Sequence, residues 1–327
     1  MAAMALPDLL SDEARDICDV IFTVAVHGFL GVFGTVTNVI NIMVFINQGL
    51  NETVTISFLA LSLADLGNVL PLVWSSVCSN PWFQLRRQTE NTLFVHLTSG
   101  APHAMFLRCS LWIRVYINIE RCLCIIFPLQ VKLLVTKRTT VLVLLLIYML
   151  MFTFLVQDAA CHPLEPYFDT RKNLTVFGVT LTSSEACNIN LSNLMNVSAR
   201  VIIYLLDIIL TLIMIQHLQV KSKWRSETFA GNTKHEATLR DDRLIKMLVF
   251  ISFLYIFTSL PAICYTVCNV VLSSVFARYG VNRNFYSLVY SIAVSGEAIG
   301  SSFNIFIYYT MSAKFKMAFL QIFGRRK

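Results

Sequence analysis

Charged residues are scarce in this sequence, and the patterns that usually mark an enzyme are missing. Asp, Glu, Lys and Arg make up only 14% of the 327 residues, against about 25% in ordinary soluble domains. The six histidines form no cluster with the spacing of metal ligands, and no glycine-rich loop that could bind phosphate occurs. We therefore expect no enzymatic activity, no metal and no cofactor.

Long apolar segments take the place of the missing charge. Hydrophobic residues make up 56% of the chain, and the mean hydropathy is +0.65. A helix needs about 20 apolar residues to cross a bilayer, and seven segments reach that length: 20–46, 54–78, 92–124, 138–160, 197–220, 244–268 and 285–310. The third is the most polar, which suits a helix that other helices surround. The predicted fold class is an all-α membrane protein with a bundle of seven transmembrane helices.

The basic residues indicate how the chain is oriented. Most of the net charge of +7 lies between spans three and four, between spans five and six, and after span seven. By the positive-inside rule these segments are cytoplasmic, so the amino terminus lies outside. Basic residues placed beside membrane spans argue against nucleic acid as a partner. We expect no signal peptide, because acidic residues precede a first span that is too long for one.

Three segments divide the chain. Residues 1–19 are expected to be an extracellular amino terminus, 20–310 a seven-transmembrane domain, and 311–327 a cytoplasmic tail. Basic and aromatic residues alternate with apolar ones from Met311 to Phe323, which is typical of a short amphipathic helix on the membrane surface. The polar stretch 221–243 is expected to be a linker.

Charged groups inside apolar spans are costly and are usually functional. Glu120 and Arg121 close the third span next to each other, and Pro128 then marks where the chain leaves the membrane. Asp65 lies within the second span, and Asn38 lies within the first. We interpret Asp65 as the centre of a polar core.

Four short motifs, in chain order, resemble those of rhodopsin-class (class A) G-protein-coupled receptors. Leu61 to Asp65 resembles Leu-x-x-x-Asp, and Glu120-Arg121-Cys122 resembles Asp/Glu-Arg-Tyr. Phe257 to Pro261 resembles Cys-Trp-x-Pro with Ser259 in the Trp place, and Asn304 to Tyr308 resembles Asn-Pro-x-x-Tyr with Ile305 in the Pro place. The sequence resembles a divergent invertebrate branch, either chemosensory-like or peptide-receptor-like.

The resemblance implies a plasma-membrane receptor that binds an extracellular peptide or small molecule and activates a heterotrimeric G protein. It implies that Arg121 engages the G protein and that Asp241 or Asp242 holds Arg121 at rest. Pro261 would be the hinge of span six. The implied polar core consists of Asn38, Asp65, Ser110, Arg114, Asn304 and Tyr308.

Arg114 is expected to pair with Asp65, with Glu297 as the second candidate. Arg114 lies almost two helical turns before Arg121, so both side chains point to nearly the same face. In many relatives a sodium ion is held against the second-span Asp. Arg114 would take the place of that ion.

The ligand site is expected in the outer half of the bundle, with the loop 160–196 as its lid. Its predicted lining residues are His103, Met105, Phe106, Tyr265 and Tyr290. Amine receptors would have an Asp where this chain has His103, and opsins need a lysine in span seven, which has none. Both ligand classes are therefore disfavoured.

Covalent features of the outer side remain open. In the family a disulfide usually joins span three to the second outer loop, but His96 occupies the matching position. Cys187 could pair with Cys161 or with Cys78, and the sequence does not decide between them. Asn173, Asn190 and Asn196 begin glycosylation sequons in this loop.

A seven-span transporter or channel is the alternative function. Transporters commonly contain inverted repeats and paired broken helices. Neither pattern is visible in this sequence, which favours the receptor.

Overall fold

The computed structural model describes residues 9–84, 95–127, 130–131, 135–161, 164–169, 174–179, 189–227, 235–272 and 282–324. Its helices are α1 Asp12–Asp19, α2 His27–Gln48, α3 Thr53–Ser79, α4 Pro81–Gln84, α5 Ala101–Ile126, α6 Lys137–Cys161, α7 Ile189–Glu227, α8 His235–Val271, α9 Arg283–Ser302, α10 Asn304–Met311 and α11 Ala313–Phe323. Two π-helical segments, Val20–Val26 and His96–Gly100, precede α2 and α5.

The helices form the predicted bundle. Spans one to six correspond to α2, α3, α5, α6, α7 and α8, and span seven is divided into α9 and α10 at Phe303. Helix α5 packs against α3, α6, α7 and α8, so the most polar span has helices around it. We call the end of the bundle near α1 the N-terminal face and the end near α11 the C-terminal face.

Within the described residues, five helical stretches are long and apolar enough to cross a membrane by length and composition. They are Asp12–Gln48, Thr53–Ser79, Lys137–Gln157, Val197–Val220 and Asp242–Val271. Helices α5 and α9 are the more polar members of the bundle, and they contain Arg114 and Glu297. Both of these charged side chains are buried, because α5 and α9 turn their polar residues towards other helices.

The segment between α6 and α7 contains a β-hairpin, in an otherwise helical fold. Strands β1 Leu164–Asp169 and β2 Leu174–Val179 pair antiparallel, with Leu164 opposite Val179 and Asp169 opposite Leu174. The sequence had suggested only a lid here. Alternating apolar residues in short runs are the signal that could have predicted the strands.

Two segments that were expected to lie outside the membrane spans contain helices. The segment 221–243 is mostly helical, because α7 continues to Glu227 and α8 already begins at His235. Lys, Arg, Glu and Gln favour helices in water as well as at a membrane edge, so polarity alone was a poor sign of a linker. The expected amino-terminal tail includes α1, whose first turn is capped by Ser11 Oγ accepting from the Ala14 amide at 3.2 Å.

An aromatic cluster fixes the C-terminal face. The ring of Tyr308 lies 5.2 Å from the rings of Phe45 and Phe58 and 5.5 Å from that of Phe315, measured between centroids. Tyr308 and Phe315 are almost completely buried. This packing holds α11, the predicted amphipathic helix, against the bundle.

Candidate functional site

A network of buried polar side chains surrounds Asp65 in the middle of the bundle. Asp65 Oδ1 accepts from Ser110 Oγ at 2.5 Å and from Arg114 Nη2 at 3.1 Å. Asp65 Oδ2 accepts from Asn304 Nδ2 at 2.9 Å. The Asp65 and Arg114 side chains are 1% and 6% exposed. The ion pair predicted from the sequence is therefore present, and it joins α3 to α5.

A ring stacks on the cation of this pair. The guanidinium carbon of Arg114 lies 4.8 Å from the centroid of Tyr255, a residue of α8. A cation over an aromatic face gains electrostatic energy when it is removed from water. The contact ties α8 to the same network, although the sequence analysis had assigned Tyr255 no role.

Two predicted members of the polar core have other contacts. Asn38 Nδ2 donates to the backbone oxygens of Gly34 and Ser301, at 2.9 and 3.1 Å. Asn38 thus joins α2 to α9 without a hydrogen bond to Asp65. The Tyr308 hydroxyl is buried and has no hydrogen-bond partner among the described residues. Tyr308 belongs to the aromatic cluster more than to the hydrogen-bonded core.

A second buried carboxylate lies closer to the C-terminal face. Asp207 Oδ1 accepts from Asn118 Nδ2 at 2.6 Å, and the same amide nitrogen lies 2.9 Å from Ser252 Oγ. Asp207, Asn118 and Ser252 come from α7, α5 and α8, and all three are at most 3% exposed. In the sequence, Asp207 is an acid within the apolar span 197–220, whereas Asn118 and Ser252 are ordinary polar residues without a motif.

Glu120 and Arg121 form an ion pair at the C-terminal face. Arg121 Nη2 lies 2.6 Å from Glu120 Oε1, and the two side chains are 13% and 1% exposed. Thr53 Oγ1, at the start of α3, donates to the same oxygen at 2.6 Å. Asp242 is buried at the beginning of the apolar part of α8. The side chain of Asp241 lies outside the described residues, so its predicted pairing with Arg121 stays a prediction.

The predicted hinge lies inside a long helix. Pro261 interrupts the hydrogen bonding of α8, and Ser259 Oγ donates to the Tyr255 oxygen at 2.7 Å near this point. The opposing helix comes very close here. A Cβ atom on Gly296 of α9 would collide with the backbone oxygen of Thr258, and one on Gly300 would lie 2.7 Å from Thr258 Oγ1.

The expected ligand residues fall into two groups. His103 Nδ1 lies 2.8 Å from the Asn68 backbone oxygen, Met105 is buried in the hydrophobic core, and Phe106 packs over Gly67. These three side chains therefore hold α5 to its neighbours.

The tyrosines form the other group. Tyr265 packs against Tyr286 and Tyr290 with ring centroids 5.1 and 5.5 Å apart, and its hydroxyl is hydrogen-bonded to that of Tyr286. Tyr290 is 44% exposed.

An ion pair beside the tyrosines was not predicted. Arg200 Nη1 of α7 lies 2.6 Å from Glu297 Oε1 of α9. Glu297 was the second candidate partner for Arg114, but in the structure it pairs with Arg200. Arg108 of α5 has its guanidinium carbon 5.4 Å from the Phe154 ring centroid.

The covalent predictions fall mainly outside the described residues. Cys78 is buried near the end of α3, whereas Cys187 and the side chain of Cys161 are not described. Asn173 is likewise outside the described residues. Asn190 and Asn196 belong to the first turns of α7, so two of the sequons are helical, where a loop had been expected. In the described part of the chain, no three His, Cys, Asp or Glu side chains meet as potential metal ligands.

Comparison with protein-family models matches residues 25–326 to the serpentine type 7TM GPCR chemoreceptor family Srw. No curated protein matches the chain. The family match confirms the resemblance to a divergent chemosensory receptor that the motifs indicated. Since the match extends over nearly the whole sequence, this chain belongs to the Srw family of serpentine seven-transmembrane G-protein-coupled chemoreceptors.

Proposed function

We propose that this receptor binds a small chemical ligand at its N-terminal face and activates a heterotrimeric G protein at its C-terminal face. The main support is the buried network at Asp65, which lies between the two faces and includes side chains of α3, α5 and α10. Buried hydrogen-bonded networks have few alternative arrangements, so a ligand that favours one arrangement can shift the population of states.

The receptor is proposed to lie in the plasma membrane with its amino terminus outside. The basic residues of the three segments expected to be cytoplasmic support this orientation. Glycosylation at Asn173, Asn190 and Asn196 and a disulfide of Cys187 with Cys161 or Cys78 belong to the same proposal, since these residues would then lie on the oxidising side.

At the C-terminal face, Arg121 is proposed to contact the G protein. Its side chain is 13% exposed and is held by a neighbouring acid that is almost fully buried. A change in the packing of α8 near Pro261 would alter the space next to Arg121. Asp241 or Asp242 would then hold the resting arrangement, and activation would release it.

A small molecule is favoured over a peptide as the ligand. The family is one of chemoreceptors. The rings of Tyr265, Tyr286 and Tyr290 also form a small aromatic group, in which Tyr265 packs against both of the others. Aromatic side chains supply contact area for a small ligand, while a few polar groups fix its orientation.

The test is expression of the receptor in cells with a promiscuous G protein, with G-protein activation and membrane conductance recorded in parallel. We expect activation by members of a small-molecule library, and loss of activation in Arg121→Ala at equal surface abundance. Arg283→Gln, which changes an exposed arginine at the opposite face, is the matched control. A ligand-gated conductance without G-protein activation would instead support the transporter or channel function.

A further inference from the structure

The two side chains of the ion pair between Arg200 and Glu297 differ in how much they are exposed to solvent. The Arg200 side chain is 25% exposed, whereas that of Glu297 is 7% exposed. Arg200 is therefore the more accessible member of the pair. A buried acid paired with a more exposed base holds the base in one place.

Most of the hydrogen-bonding capacity of Arg200 is unused within the described part of the chain. A guanidinium has five N–H donors, and the one contact of Arg200 there joins Nη1 to Glu297 Oε1. Nε and Nη2 therefore retain donors that no described side chain accepts. Their planar geometry matches the two oxygens of a carboxylate, which can accept two parallel hydrogen bonds.

Aromatic side chains stand beside this cation. Tyr255, Tyr265 and Tyr290 lie close enough to the Arg200 guanidinium to interact with it electrostatically. Tyr265 and Tyr290 pack together, and Tyr290 is 44% exposed. A ligand bound to the guanidinium would therefore place its apolar body against tyrosine rings.

The more exposed member of this ion pair is the cation. An anionic group of a ligand would be attracted to it, whereas a cationic ligand would be repelled.

We propose that Arg200 binds the carboxylate of a small organic acid whose aromatic or branched apolar body packs on Tyr265 and Tyr290. This inference rests on the proposed receptor function and names the ligand class for it. Glu297 is a positioning residue, because it orients the guanidinium and touches no ligand. The same carboxylate chemistry could come from a free organic acid or from the free carboxyl terminus of a short peptide.

The experiment compares acids with their neutral counterparts on the purified receptor and in cells. The probes are phenylacetate, indole-3-acetate, 3-methylbutanoate and hexanoate, each beside its primary amide, together with the dipeptide Gly-Phe and its amide. Binding is measured from the melting temperature of the purified receptor, and function from G-protein activation. We expect at least one free acid to raise the melting temperature and to activate, and its amide to be weaker by about 10- to 100-fold.

Variants assign the effect to Arg200. Arg200→Gln should weaken the active acid by about 10- to 100-fold, and Glu297→Gln, which removes the acid that orients the guanidinium, should weaken it by less than Arg200→Gln does. Because Arg200→Gln leaves a buried acid unpaired, the double variant Arg200→Gln, Glu297→Gln keeps a neutral hydrogen bond and provides a folded receptor. Arg283→Gln is the control and should respond as the unchanged receptor does.

Every outcome bears on the proposal. Amides as potent as acids, a panel in which no acid acts, or full acid potency in the double variant would overturn it. Activity of Gly-Phe alone would reassign the carboxylate to a peptide and overturn the organic acid. Acid binding without G-protein activation would support this site but contradict the proposed function. G-protein activation by neutral ligands only would support the proposed function but contradict this site.

Discussion

Both oxygens of the Asp65 carboxylate accept hydrogen bonds from the protein. Oδ1 accepts from Ser110 and Arg114, and Oδ2 accepts from Asn304. A sodium ion at this carboxylate would meet the charge of Arg114 at close range. The positive charge beside Asp65 is thus covalently part of the protein.

The first prediction is that sodium has no specific effect on this receptor. The purified protein should melt at the same temperature in sodium chloride and in potassium chloride of equal concentration. Arg114→Leu leaves Asp65 buried without a cation, at a cost of about 3 to 5 kcal/mol. Its melting temperature should fall, and sodium should restore more of it than potassium does.

Arg108→Leu is the matched control for Arg114→Leu. It removes an arginine from the same helix, but one whose guanidinium lies over Phe154. It should create no sodium dependence. A sodium-specific increase in the melting temperature of the unchanged protein would contradict the prediction that Arg114 takes the place of a sodium ion at Asp65.

The second prediction concerns the carboxylate of Asp207. Asn118 is its close donor at 2.6 Å, and Ser252 lies 3.5 Å from the same oxygen, at the limit of a hydrogen bond. Asn118→Ala should therefore destabilise the protein by about 1 to 3 kcal/mol, the cost of leaving a buried acceptor unsatisfied. Ser252→Ala should cost less.

Thermal melting of the purified variants measures this difference. Adding Asp207→Asn to Asn118→Ala should recover part of the lost stability, because a neutral amide is cheaper to bury than a carboxylate. Equal losses for Asn118→Ala and Ser252→Ala, or no recovery with Asp207→Asn, would show that the contact at 2.6 Å does not decide the stability.

Residue spacing explains which contacts could be predicted. Arg114 and Ser110 lie one helical turn apart on α5, so a motif that placed Ser110 opposite Asp65 also placed Arg114 there. No spacing relates Arg200 on α7 to Glu297 on α9. Their pairing depends on the rotation of two helices, and Arg200 appears in the sequence only as a charge near the start of an apolar span.

At the scale of whole helices, α8 and α9 approach each other next to the proline of α8. Gly296 and Gly300 face Thr258, three residues before Pro261. Small residues allow membrane helices to pack closely, and the loss of side-chain volume is compensated by contacts between backbones. No motif in the sequence marks these glycines.

The third prediction is that Gly296→Ala destabilises the receptor. Within a helix, Gly to Ala ordinarily stabilises by about 0.5 to 1 kcal/mol. At Gly296 the new methyl group would meet the backbone oxygen of Thr258, and a backbone cannot move aside as a side chain can. Overpacking of this kind costs about 1 to 3 kcal/mol, so the melting temperature should fall.

Gly100→Ala provides the opposite case. The nearest atom to a Cβ there is His96 Nδ1 at 3.1 Å, which belongs to a movable side chain of the preceding turn. Its melting temperature should stay the same or rise. A rise for Gly296→Ala would mean that α8 and α9 separate at no cost.

The sequence was enough to predict which segments form helices, but not the residues at which those helices begin and end. Among the described residues, five helices are long and apolar enough to cross a membrane, and the more polar helices α5 and α9 complete the bundle that was expected. Helices α7 and α8 extend well beyond their apolar parts, because polar helix formers continue the hydrogen-bonding pattern into water. The hairpin β1–β2 depends on pairing between strands, and the short alternation of apolar residues in its strands is a weaker signal than a long apolar span.

At the scale of the whole molecule, different polar contacts join the helices at the N-terminal face and at the C-terminal face. At the N-terminal face, Asn284 at the start of α9 donates to Asp12 Oδ1 of α1 at 2.9 Å. At the C-terminal face, Lys314 of α11 lies 2.6 Å from Glu52, which precedes α3. Exposed pairs such as this one contribute about 0 to 1 kcal/mol. Asp242 differs from these exposed residues because it is buried at the start of the apolar part of α8, where its negative charge must be compensated.

The last prediction is that Asp241→Ala combined with Asp242→Ala raises basal G-protein activation. If these acids hold α8 towards Arg121 at rest, their removal shifts a two-state equilibrium towards the active state, and about 1.4 kcal/mol corresponds to a tenfold change. Glu52→Ala removes an acid from the same face that is 40% exposed and paired with Lys314, so it should leave basal activation unchanged. Basal activation is measured at equal surface abundance without ligand. An unchanged basal level in a double variant that still responds to an agonist would mean that Glu120 alone holds Arg121 in the resting receptor, and that the acids of α8 only favour the start of the helix.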